Sequence, residues 1–101
     1  MPSPIAYIAE LQEPSSALIA KIQSKHDVTL DEVREAIILT EVESSVWDWD
    51  ADPARGWRLL VTATTYVGRR LLVVLYPVDA SEGIWRLGTA MPDDEGTVGA
   101  G

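Results

Sequence analysis

The run LLVVLY, residues 71–76, contains nothing but leucine, valine and tyrosine. Successive side chains of a strand point to opposite faces, so a strand with no polar alternates has to be covered on both faces, or nearly so. The run therefore belongs in the middle of a sheet, and its neighbours in the sequence supply the flanking strands. WRLLVTATTY (57–66) precedes it across a tight turn at Val67-Gly68, and IWRLGTAM (84–91) follows it after DASEG (79–83). VESSVWDW (42–49) adds a further strand ahead of the loop DADPARG (50–56). All of these runs are rich in β-branched and aromatic residues and are separated by turn signals.

The first part of the chain has a different period. Pro14-Ser15-Ser16 starts a helix to about Lys25, with Leu18, Ile19 and Ile22 on one face and Lys21 and Lys25 four apart on another. Thr29 and Glu32 form a capping box that starts a second helix over about residues 30–40, whose buried stripe is Leu30, Val33, Ala36 and Ile37. PIAYIAEL (4–11) reads as a short edge strand, because Pro2 and Pro4 oppose an early helix. The predicted class is α+β, with two N-terminal helices packed on an antiparallel sheet of about four or five strands. Residues 1–91 form one domain, and the acidic, Gly-rich residues 92–101 form a flexible tail.

Composition narrows the function. The chain has 101 residues, so its core is small and a large internal cofactor is not expected. Sixteen acidic residues against eight basic ones give a formal net charge of −8, so RNA binding would require a local basic patch. The absence of cysteine excludes disulfides and thiolate metal sites and fits a cytoplasmic protein. No stretch approaches the ~20 apolar residues of a membrane span, and MPSPIAYIAE lacks the basic start of a signal peptide, so no membrane association is expected.

The sequence offers three kinds of candidate site. Asp48, Asp50 and Asp52 superficially resemble a calcium loop, but Pro53 and Leu59 stand where glycine and a bidentate glutamate are needed, so no metal is expected. Nucleophilic hydrolysis has one histidine to draw on, His26, and no nucleophile elbow. The basic residues Lys21, Lys25, Arg34, Arg55, Arg58, Arg69, Arg70 and Arg86 are more informative, since a strand arginine can bind phosphate bidentately. Strand parity limits their convergence. A strict two-residue turn at Val67-Gly68 puts Arg58 and Arg70 on opposite faces, whereas a three-residue loop or a bulge puts them on one. If Val78 pairs with Ile84, Arg86 joins the face of Arg70.

The order of elements, together with KHDVTLDEV, GRRLLVVLYP and WRLGTAM, resembles the BrnT family of type II toxins over roughly residues 20–91. That resemblance implies a RelE-like fold and a metal-independent ribonuclease with an antitoxin partner. Lys25 and His26 match the family's Lys-His pair, with Asp27 in place of glycine. Arg70 falls in the Gly-Arg strand, where Gly68-Arg69-Arg70 carries one extra residue. Arg86 and Thr89-Ala90 match the final strand. On this likeness Lys25, His26, Arg58 and Arg86 are the catalytic candidates, and Arg70 and Lys21 the substrate-binding ones. His26 is the natural acid or base.

Met91 stands in place of a second arginine, and PDDEGTVGAG replaces a basic helix, so reduced or lost activity is expected. The alternative is a non-catalytic interaction module, or a homodimer through a free sheet edge, that keeps the toxin fold. His26 discriminates between the two. It has chemical work only if it faces Arg86 across the sheet, and otherwise it closes a helix.

Overall fold

The computed structural model describes residues 8–39, 42, 44–49, 54 and 56–93. Residues 4–7 of the expected first strand, Asp50, Asp52, Pro53 and Arg55 of the loop, and residues 94–101 of the expected tail lie outside the described residues.

The chain is α+β, with two helices and a five-stranded sheet. Strand β1 (Glu10–Leu11) leads into α1 (Ser16–His26) and α2 (Leu30–Arg34). A π-helical turn, Glu35–Leu39, continues α2. Strands β2 (Ser44–Trp49), β3 (Trp57–Thr64), β4 (Arg70–Asp79) and β5 (Ile84–Pro92) complete the order. In space the strands run β1-β5-β4-β3-β2. The sheet is mixed rather than purely antiparallel, because β1 pairs parallel with β5 through Glu10–Ile84 and Leu11–Trp85. The two helices carry the chain back between β1 and the meander, and such a crossover is what a parallel pair requires.

Local chemistry explains the helix ends. Ser15 Oγ accepts the Leu18 N–H at 3.1 Å and caps α1. At the other end Asp27 takes a left-handed conformation with φ of 55°, and the N–H groups of Asp27 and Val28 return to the carbonyls of Gln23 and Ile22. Thr29 and Glu32 exchange both bonds of the capping box at 3.0 and 3.1 Å.

The core lies between the helices and one face of the sheet. Ile22, Val28, Val33, Ala36 and Ile37 meet Leu59, Val61, Ala63, Leu71, Val73, Leu75, Trp85, Leu87 and Ala90. Residues 71–76 occupy the central strand, and all but half-buried Leu72 are buried. The rings of Trp47 and Trp85, from β2 and β5, meet over this face with centroids 5.6 Å apart. Among the described residues, no helix is long and apolar enough to cross a membrane.

Candidate functional site

Two irregularities of the sheet decide which basic residues share a face. The pair Thr64–Arg70 and the bond from Thr65 N–H to the Arg69 carbonyl at 2.8 Å leave residues 66–68 as a three-residue turn. Gly68, at φ of 87°, takes the position where only glycine is at ease, the usual chemistry of a three-residue hairpin loop. The turn is one residue longer than the two-residue alternative, so Arg58 and Arg70 fall on the same face, the one turned away from the helices. The second irregularity is in β4, where Pro77 pairs with Trp85 but Asp79 pairs with Ile84, so Val78 does not pair with Ile84 and is an extra residue that leaves Tyr76 opposite Arg86. A further bulge beyond Arg86 has Gly88 as the extra residue, between the pairs Val74–Thr89 and Leu75–Leu87. A Cβ on Gly88 would stand 2.4 Å from Tyr76 Cε2, so the tyrosine ring lies directly against the glycine.

Arg86 pairs with Tyr76 and lies on the same outer face, its guanidinium 5.1 Å from the ring centroid. One step beyond the Leu59–Leu75 pair, Arg58 flanks Tyr76 on the other side. Asp48 comes next, binding Arg58 Nε through Oδ2 at 2.8 Å. The row Asp48, Arg58, Tyr76, Arg86 therefore crosses four strands. Arg70 shares the face but not the row, because six residues of strand place it roughly 20 Å away, where its Nε contacts Asp93 at 3.2 Å.

Lys21, Lys25 and His26 are on the helical layer instead. The two lysines are exposed and His26 is half-buried. His26 ends α1, and its carbonyl accepts a bond from Arg69 Nη2 at 3.4 Å. It lies at the end of the sheet near Arg69, on the opposite side from Arg86, and the structure does not bring them together. The six sequence-predicted residues thus divide into a helical set and an outer-face set, with the sheet between them.

Arg69, one of the basic residues to which the sequence assigns no role, has the most defined surroundings. Its Nη1 donates to both oxygens of Glu32, at 3.0 and 2.9 Å, and its N–H donates to buried Thr65 Oγ1 at 3.2 Å. Partial burial of Glu32 pushes its carboxyl pKa up, but the Thr29 N–H and the Arg69 guanidinium more than reverse this, and the net value lies below the ordinary 4.5. Next to it the Tyr66 N–H donates to Glu35 Oε1. These bonds tie the β3–β4 turn to both helices. The available signal was the doubled arginine after Gly68, because the additional residue is the one that turns back to the helix junction.

Among the described residues, no group of three or more histidine, aspartate or glutamate side chains is placed to hold a metal. Of the three aspartates in WDWDADP, Asp48 is described, and it bonds to Arg58.

Among the described residues, the large exposed apolar side chains fall in two places: Tyr66, Val67 and Val78 at the β3–β4 turn and the end of β4, and Val46, Trp49 and Trp57 at β2 and the adjacent end of β3. Val46 is 59% exposed, and Trp49 and Trp57, at 52% and 40%, pack edge to face with centroids 5.3 Å apart. No protein-family model, no curated protein and no solved structure matches the chain.

Proposed function

We propose that this protein is a non-catalytic protein-interaction module that retains a BrnT-like, RelE-related toxin fold and works in the cytoplasm. One observation carries this reading. The acid–base candidate His26 and the phosphate-binding candidates Arg58 and Arg86 are on opposite sides of the sheet, too far apart to act on one phosphodiester. General acid–base catalysis requires the proton donor within hydrogen-bond reach of the reacting oxygen. The carboxylates on Arg58 and Arg70 add to this, since each offsets the positive charge that a phosphate would meet. The acidic surface and the exposed tryptophans of β2 and β3 fit a protein surface better than a polyanion.

The test is to incubate purified protein with RNA between pH 6 and 8 and to express it in growing cells. The reading predicts intact RNA and undiminished growth. RNA cleavage by the wild type that disappears in both His26→Ala and Arg86→Ala would contradict it.

A second reading, an active BrnT-like ribonuclease held in check by an antitoxin, is favoured by the row in which Arg58 and Arg86 flank Tyr76. Two guanidinium groups on one face are suited to RNA phosphates, while the buried Tyr76 ring between them holds Arg86 in place rather than receiving a base. On that reading Arg58→Ala and Arg86→Ala each weaken RNA binding, and Lys21→Ala and Lys25→Ala do not.

A further inference from the structure

The two terminal strands of the sheet are protected very differently. β1 is two residues long and is followed by Pro14, so it offers little backbone to a newcomer. β2 runs six residues, Ser44–Trp49, at the opposite end of the strand order. It contains no proline, no lysine and no glycine, and its ladder with β3 runs without a bulge from Ser44–Thr62 to Trp49–Trp57. Proteins that must keep an edge monomeric usually place a proline, a bulge or a charged side chain there, and the charge on β2, Asp48, is held by Arg58 of the neighbouring strand. β2 instead presents exposed Val46 and Trp49.

We infer that β2 is a self-association edge: a second copy of this chain adds its own β2 antiparallel, joining the two sheets into one. The inference rests on the reading of the protein as an interaction module and names its partner. The argument is the self-complementarity of the strand. A two-fold axis perpendicular to the sheet keeps each face continuous, so the residue at its centre pairs with itself. With Val46 at the centre, Val46 meets Val46 of the second copy on the outer face. On the helix face the ring of Trp47 stands opposite the small Ser45 of the second copy, and the reverse pair repeats the fit. On the outer face Asp48, bonded to Arg58 through Oδ2, stands opposite Ser44, whose hydroxyl donates to Oδ1.

The registers centred nearer Trp49 are worse. Centring on Trp47 sets two indole rings against each other and Asp48 against Val46, and centring on Asp48 opposes two like charges. The Val46 register has neither fault and uses every side chain from Ser44 to Asp48.

Charge makes the edge distinguishable from one built for a basic partner. Each copy carries a formal net charge of −8, so two copies repel, and added salt screens that repulsion over a length of about 8 Å at physiological strength. Self-association therefore tightens as salt rises, whereas capture of a basic segment would weaken.

The chain has no cysteine, so single cysteines report the register directly. Directly opposite residues of an antiparallel pair have Cα atoms within disulfide range. Under mild oxidation Val46→Cys is expected to form a covalent dimer. Ser44→Cys, whose two copies lie roughly 13 Å apart along the strand, is expected to remain uncrosslinked. In sedimentation equilibrium on the full chain, the wild type is expected to be dimeric, more tightly so at high salt. Val46→Lys is expected to be monomeric, with an unchanged circular dichroism spectrum and melting temperature.

A wild type that stays monomeric at millimolar concentration and high salt overturns the inference, as does a Val46→Lys variant that still dimerises or a Ser44→Cys variant that crosslinks as readily as Val46→Cys. A monomer that leaves RNA intact defeats the β2 edge alone and leaves the interaction-module reading standing. A monomer that cleaves RNA defeats both.

Discussion

The two ends of β3 finish in opposite ways. At its C-terminal end the turn to β4 is tied to the helix junction: Arg69 grips Glu32 with two bonds, Arg69 Nη2 reaches the His26 carbonyl, and the Tyr66 N–H meets Glu35. At its N-terminal end Trp57 packs against Trp49, both rings partly in solvent, and Val46 is exposed on the opposite face of β2. The first end spends its charged groups on internal bonds between segments distant in sequence. Both ends leave apolar area outside, Tyr66 and Val67 in the turn and Val46 and Trp49 at the other, but the second does so along the terminal strand of the sheet. The contrast separates stability from association, and substitutions at the two ends should affect different measurements.

The largest effect belongs to the packing beneath the closed end. Ile22 is fully buried between α1 and the sheet, so Ile22→Ala is expected to destabilise the fold by about 2–5 kcal/mol. Urea denaturation reads this as a lowered midpoint.

Glu32→Gln comes next. It removes the charge from a carboxylate that serves both the capping box and Arg69, for a loss of about 1–3 kcal/mol at neutral pH. The loss depends on pH. The folded-state pKa of Glu32 lies below the ordinary 4.5, so its contribution is complete above that value and disappears as pH falls through the folded pKa. The difference between wild type and Glu32→Gln should therefore be full at pH 7 and shrink toward zero in acid. A gap that widened on acidification would assign the stabilisation to another group.

At the open end the stability effects are smaller. Trp57→Ala loses an edge-to-face pair and is expected to cost about 0.5–1.5 kcal/mol beyond its modest area term. Val46→Lys, on an exposed side chain, should stay within about 0.5 kcal/mol of the wild type while abolishing dimerisation. If Val46→Lys unfolded the chain, or if Glu32→Gln dissociated the dimer without unfolding it, the separation of roles would fail.

Much of the fold was legible because local and long-range signals agree. Thr29 and Glu32 announce the start of α2, and the unbroken apolar run at 71–76 has no stable place except mid-sheet. The parallel pairing of β1 was not legible, since its two residues carry no periodicity of their own and take their place from Trp85 and Ile84. The face shared by Arg58, Arg70 and Arg86 hinged on single-residue differences. A turn of three residues and the extra Val78 in β4 each reverse parity, and nothing in the local sequence chooses between the arrangements. The role of Arg69 was hidden for a related reason. Its partner Glu32 lies 37 positions earlier in the sequence, and the pair forms only once the hairpin folds back on the helix junction. His26 kept its two readings until the helix end was placed. There its backbone carbonyl, rather than its imidazole, makes the contact that ties the helix to the hairpin.

That β2 is the working edge is tested most directly by amide hydrogen exchange measured across a dilution series. The prediction is that the amides of Ser44–Trp49 exchange more slowly as protein concentration rises, while those of the β3–β4 turn exchange at a constant rate. Exchange in β2 that is independent of concentration, or protection that grows only elsewhere in the chain, would contradict it.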